Sequence, residues 1–226
     1  MRYPSIQTGR FLARPNRFIA HVEIDGVVQV CHVKNTGRCR ELLTEGARVV
    51  VATSDNPNRK TAYDLIAVYK NGMLINMDSQ APNAAFGEWV RESGYFGELT
   101  LIRPECVYGD SRFDFYLEAK DRKIFVEVKG VTLEEDGVVR FPDAPTERGI
   151  KHLRELTQAV KNGYDAYVFF VIQMESCRWF EPNAVTHEAF AKALREASAA
   201  GVAVRAVCCH VEEDSMRLSD FAEVRL

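Results

Sequence analysis

Asp114, in "SRFDFYLEA", and Glu127 and Lys129, in "KIFVEVKGV", are the residues whose types and spacing could do chemistry. In a β-strand successive side chains point to opposite faces, so Phe125, Glu127 and Lys129 share one face while Val126 and Val128 take the other. Glu127 and Lys129 are then roughly 7 Å apart along the strand. The charged turn "KDR" joins the two segments, and a hairpin-like connection would bring Asp114 beside Glu127. Two close carboxylates repel each other, and sharing a divalent cation relieves the repulsion. Mg²⁺ prefers oxygen ligands and keeps several waters, so Asp114, Glu127 and the main-chain carbonyl of Val128 suffice as a protein contribution, with Mn²⁺ as an alternative ion. Lys129 then lies within reach of a water or a phosphate oxygen. The competing reading is an exposed strand face with a local ion pair.

The surrounding elements fall into two groups. In the first third, "RFIAHVEI" alternates and meets "VVQVCHV" through Asp25-Gly26, the signature of a tight hairpin. "ARVVVATS", "TAYDLIAVYK" and, after Asn71-Gly72, "MLINMDS" follow. Five short strands with one helical turn near "GRCRELL" predict a small OB-like barrel over residues 1–80. From residue 81 the pattern becomes helix, strand, strand, helix, strand, helix, strand: "AAFGEWVRESG", the two chemistry-bearing strands, the stripe Ile150, Leu153, Leu156, Val160, then "AYVFFVIQM", "HEAFAKALREASAAG" and "VAVRAVCCHV". Residues 81–226 therefore read as an α/β domain with a mixed central sheet.

The 226 residues are 46% hydrophobic and 27% charged, an ordinary globular composition. Six irregularly spaced cysteines without C-x-x-C argue against a zinc ribbon and a secreted disulfide framework. "MRYPSIQTGR" does not read as a secretory leader, and the longest apolar run, "AYVFFVI", is too short to span a bilayer. A cytoplasmic protein with reduced thiols and no membrane partner is expected. The net charge of −3 is uneven: residues 1–78 hold 11 Lys/Arg against 7 Asp/Glu, a balance of +4, and the remainder is −7. A basic front and an acidic back suit a binding module joined to a metal-binding one.

Asp114, twelve intervening residues and then Glu-Val-Lys resemble the PD-(D/E)XK nuclease superfamily. "NTGRCRELL", "YGDSRFDF" and "VKGVTL…FPDAPTERGIKHLREL" resemble the sugar fermentation stimulation protein A family along nearly the whole chain. The resemblance implies an OB-like barrel followed by a restriction-endonuclease-like domain, and DNA binding linked to sugar-utilisation genes. It places metal ligation on Asp114 and Glu127, the catalytic lysine on Lys129 and an additional helix acid on Glu88. Phe113 stands where the superfamily motif often has proline, which is not a ligand.

The same resemblance, with the phosphate affinity of helix N-termini, makes Arg148 and Lys151 nucleic-acid contacts. Asn35, Arg38 and Arg40 are their counterparts in the barrel, while a turn at Thr36 and Gly37 accounts for those two residues structurally. His152 reads as a packed or capping histidine and is left out of the catalytic group. Phe11, Tyr63 and Tyr69 are assigned to the core rather than to base stacking. The expected function is Mg²⁺-dependent phosphodiester cleavage on DNA with little sequence preference; the alternative is a non-catalytic DNA-binding regulator on a nuclease scaffold. RNA stays admissible as a substrate, and the oligomeric state is left open, a dimer included.

Overall fold

A computed structural model describes residues 1–35, 37–54 and 59–226. The turn assigned to Thr36 thus lies partly outside the described residues. Asp25-Gly26 and Asn71-Gly72 both take positive φ at each position (49° and 78°; 51° and 83°), the backbone that two-residue hairpins require. The first joins β2 (Ile19–Ile24) to β3 (Val27–Val33), and the second joins β5 (Tyr63–Lys70) to β6 (Met73–Asn76). With β1 (Ile6–Asn16) and β4 (Arg48–Thr53), the order is β3-β2-β1-β4-β5-β6, and a parallel pairing of β3 with β5 at Cys31–Tyr63 closes five strands into a barrel. Ala20, Val22, Ile24, Val33, Val49, Val51 and Leu65 fill it.

The sequence reading counted β6 as a barrel strand and passed over β1, which closes the barrel between β2 and β4. Of the β1 side chains only Phe11 is buried, so no apolar alternation marks it. Beside Phe11, Gly9 also faces inward, where a Cβ would come within 2.6 Å of Val22 and 2.7 Å of the Glu23 carbonyl.

Beyond the barrel run α1 (Ala81–Glu92), β7 (Leu101–Tyr108), β8 (Ser111–Ala119), β9 (Arg122–Val131), β10 (Leu133–Glu135) and β11 (Val138–Phe141). Then come α2 (Glu147–Lys161), β12 (Asp165–Ile172), β13 (Trp179–Pro182), α3 (Ala184–Ala199), β14 (Ala203–Glu212) and β15 (Ser215–Ala222). The main sheet has the order β15-β14-β12-β9-β8-β7, with β9, β12 and β14 parallel and the outer strands antiparallel. Phe86 and Val90 of α1 pack on one face with Val126, Val128 and Phe169. Leu153 and Leu156 of α2 and Phe190 of α3 pack on the other with Phe125, Val168 and Phe170. Strands β7, β10, β11, β13 and β15 were not anticipated; β10, β11 and β13 form a separate small sheet. Among the described residues no helix is long and apolar enough to cross a membrane.

A buried polar network ties barrel to sheet. Asn76 donates to the Tyr3 hydroxyl (3.1 Å), which donates to Asp78 (3.2 Å), and Gln173 at the end of β12 donates to Asn76 (3.1 Å). Lys34 reaches both Asp78 (3.3 Å) and Asp64 (3.6 Å). Asp64, only 5% exposed, also takes Arg59 at 2.5 Å and His32 at 3.0 Å. Burial pushes its carboxyl up, but hydrogen bonds from Arg59 and His32 and the charge of Lys34 outweigh that, so it sits below the ordinary carboxylate range. A lowered folded-state value stabilises the fold above the unfolded value of about 4 and loses that contribution as pH falls through the folded value. Asp64→Asn is expected to lower stability at pH 7 by about 3 kcal/mol, because the cations it faced lose their partner. Thermal melts from pH 7 to pH 3 check this: the deficit against wild type should shrink below about pH 4, and a constant deficit would contradict the assignment.

Candidate functional site

Alternation along β9 places Phe125 in the core on the α2 side and Val126 and Val128 in the core on the α1 side. Glu127 is 2% exposed and lies on the α2 side, with Lys129 two residues on. On β8 the alternation breaks at Asp114: Phe113 packs with Phe125, whereas Phe115 and Leu117 pack against α1. The β8–β9 register ends at Phe115–Val126, and carried one residue further it sets Asp114 opposite Glu127. Past that point the Asp114 carboxylate takes over as acceptor, receiving the Val128 N–H at 2.7 Å with one oxygen and the Asn83 amide at 2.8 Å with the other. An extended residue directs its N–H and C=O to the same strand edge, so the Val128 carbonyl opens toward this gap as well.

One oxygen of Glu127, Oε1, accepts both Lys129 Nζ (2.5 Å) and His152 Nδ1. The other, Oε2, is buried with no hydrogen-bond partner among the described residues. Burial pushes the Glu127 carboxyl up, but the hydrogen bond from His152 and the charge of Lys129 bring it below its ordinary value. Asp114 is shifted the other way, by burial first and the charge of Glu127 second. Two neighbouring carboxylates pushed apart in this way, with one buried oxygen unsatisfied, fit a divalent cation. Among the described residues no group of three or more His, Cys, Asp and Glu gathers in metal-binding geometry. A cation here would meet two carboxylates and a carbonyl, a set that suits an ion keeping several waters.

Glu88 does not join this group. It lies five residues beyond Asn83, about 140° further around α1, and pairs with the Met1 ammonium. Asn83, which the sequence reading passed over, is the α1 residue that reaches the site. His152 was set aside as a packed histidine, yet it bonds directly to Glu127. Its signal was its place in the stripe Gly149, His152, Leu153, Leu156, all buried.

Thr146 caps α2 by accepting the Gly149 N–H at 3.1 Å. Arg148 is exposed and its Nε donates to His152 Nε2 at 3.3 Å. Lys151 donates to the Asp110 carbonyl at 2.8 Å, at the β7–β8 turn. In the barrel, Arg38 and Arg40 are exposed and line a groove of about 400 Å³ with Arg14 and Arg17. Arg14 shapes that groove by donating to the carbonyls of Asn35 (2.7 Å), Gly37 (2.9 Å) and Arg38 (2.7 Å). Asn35 is occupied structurally, donating to the Met77 carbonyl (2.9 Å) and accepting the Gly37 N–H (2.8 Å). Gly37 abuts Asp143 so closely that a Cβ there would collide with its carboxylate, so the loops before and around the two basic segments lie side by side.

A closed five-stranded barrel followed by a mixed sheet with paired carboxylates on β8 and β9 defines a two-domain protein of OB and restriction-endonuclease-like folds. Residues 12–77 match the SfsA N-terminal OB domain, and residues 80–215 match the sugar fermentation stimulation protein RE domain. The sugar fermentation stimulation protein homolog of Desulfitobacterium hafniense (strain Y51) is 61% identical over 226 residues, covering 100% of this chain and 99% of the relative. That of Clostridium beijerinckii is 56% identical over 226 residues and 100% of both chains. The solved structure of Pyrococcus furiosus SfsA in complex with Ca²⁺ superposes with a TM-score of 0.91 at 27% identity, over 100% of this chain and 98% of that one. The chain belongs to the sugar fermentation stimulation protein family.

The Asp114–Val128 contact makes a structural prediction. Asp114→Ala should strand the buried N–H and lower stability by about 1–3 kcal/mol, while Asp114→Asn, whose amide oxygen can still accept, should cost less. Urea unfolding of both variants checks this; equal midpoints would show that the contact does not hold the strand.

Proposed function

We propose that this chain is a DNA-binding protein whose α/β domain carries a divalent-cation-dependent phosphodiester-cleaving site, with a link to sugar utilisation that follows from its family. The observation that carries the reading is the buried Oε2 of Glu127, which has no partner among the described residues, beside the second carboxylate, that of Asp114. The Ca²⁺ complex of the P. furiosus relative supports a divalent ion here. Asp114, Glu127 and the Val128 carbonyl would hold Mg²⁺, or Mn²⁺ in its place, which when bound supplies positive charge to a phosphoryl oxygen. Asp114 and Asn83 keep the donor set aligned through their hydrogen bond. Lys129, from its place beside Glu127, orients an incoming water in line with the leaving oxygen or offsets charge developing on the phosphate. Arg38 and Arg40 take the backbone phosphates in the barrel groove, with Arg148 and Lys151 nearer the acids. Contacts of this kind read charge and backbone shape rather than base sequence, so duplex DNA of any sequence should serve and RNA stays admissible.

The test is metal-dependent cleavage of plasmid, single-stranded DNA and RNA by wild type, Lys129→Ala and Asp114→Asn, with DNA affinity measured in Ca²⁺. Lys129→Ala should cut on the order of 100-fold more slowly while binding DNA nearly as well, and Asp114→Asn should not cut at all. DNA binding by wild type with no cleavage in any metal would instead make the protein a regulator on a nuclease scaffold. Equal cleavage by all three proteins would remove the site assignment.

Salt dependence checks the binding half. Log affinity should fall by roughly 0.9 per phosphate contact per log unit of salt, so Arg38→Ala with Arg40→Ala should flatten the slope by about 1.8. Titrations on two unrelated duplexes provide the measurement. An unchanged slope, or a thousandfold preference between duplexes, would contradict it.

A further inference from the structure

We infer that His152 is a positioning residue for Glu127, held in its working tautomer by Arg148, so that a phosphate-facing arginine and a buried acid act as one unit. This rests on the metal-site reading above and goes beyond it by naming what orients the acid. Arg148 and His152 are one turn apart on α2, on neighbouring positions of the same helix face. A guanidinium has donors only, so at 3.3 Å the Nε of Arg148 makes Nε2 of His152 an acceptor. The ring proton therefore sits on Nδ1, from which His152 donates to Glu127 Oε1.

The consequence falls on the carboxylate. The terminal torsion of a glutamate is broad, so one hydrogen bond leaves its plane free to swing. Oε1 takes two donors, Lys129 Nζ and His152 Nδ1, and this fixes which oxygen is left over for a cation. The imidazole cannot turn away, because it is 4% exposed and stands edge-on to Phe113 with centroids 6.3 Å apart. Its helix is seated by Gly149, where a Cβ would come within 3.0 Å of Phe190 of α3. Among the described residues no protein group takes the terminal amino groups of Arg148, whose only hydrogen bond is made by Nε. That end is open to a phosphate while the other end holds the histidine.

The experiment has two readouts, neither of which needs catalysis. The first is the ¹⁵N spectrum of histidine-labelled, metal-free protein at neutral pH, which should show the His152 proton on Nδ1. The second is Ca²⁺ binding by calorimetry to wild type, His152→Ala, His152→Asn and His152→Gln. The asparagine amide nitrogen falls where Nδ1 was, and the glutamine nitrogen falls where Nε2 was. His152→Asn should therefore bind Ca²⁺ within about threefold of wild type, while His152→Gln and His152→Ala should bind roughly 10–100-fold more weakly. A proton found on Nε2, or Ca²⁺ binding by all three variants equal to wild type, would overturn the role of His152 while leaving the metal site standing. No Ca²⁺ binding by wild type would defeat the metal reading itself and this inference with it.

Discussion

Where β8 peels away from β9, the carboxylate of Asp114 takes the place of a backbone carbonyl and accepts the Val128 N–H. A buried N–H without an acceptor is costly, so the strands can part at this point because a side chain fills the vacated position. At this parting the Asp114 carboxylate lies close enough to Glu127 to feel its charge. The parting also explains why the acid sits on a strand rather than on a loop: the same oxygen atoms that would face a cation complete the ladder. Both demands fall on one residue, and an aspartate has just the two oxygens needed to serve Val128 and Asn83 while retaining lone pairs.

The barrel is bound to this site by buried polar contacts rather than by a hinge. Gln173 immediately follows β12, and its carbonyl accepts the Asn76 N–H at 3.0 Å while its own N–H donates to Val131 at 2.9 Å. Its side chain lies against Gly130, where a Cβ would come within 2.5 Å of its amide oxygen. The end of β9, just past Lys129, is thus locked to the last strand of the barrel domain. The barrel's arginine groove and the loop leading into α2 meet through Gly37 and Asp143.

The candidate site was legible on β9, where Glu127 and Lys129 interrupt an otherwise apolar alternation. It was less so on helices. Glu88 was carried over from relatives by residue type, but it lies well around α1 from Asn83, the exposed first-turn residue that reaches Asp114. His152 occupies a stripe position like its apolar neighbours, and periodicity alone does not distinguish a packed ring from one bonded to a buried acid. The unanticipated strands share a different physical cause. β7 carries Pro104, and much of it is exposed at the sheet edge, so it shows no two-sided burial. β1 places Gly9 against Val22 two residues before its single buried side chain, Phe11, so no apolar alternation announces it.

The central claim is that Asp114 and Glu127 share one divalent cation. Anomalous diffraction from crystals grown with Mn²⁺ tests it most directly. The account predicts a single strong peak in the gap between β8 and β9, within about 2.2 Å of an Asp114 oxygen and of Glu127 Oε2, with Lys129 and His152 still on Oε1. A peak elsewhere, or a Glu127 that keeps Oε2 buried and empty at saturating Mn²⁺, would contradict it.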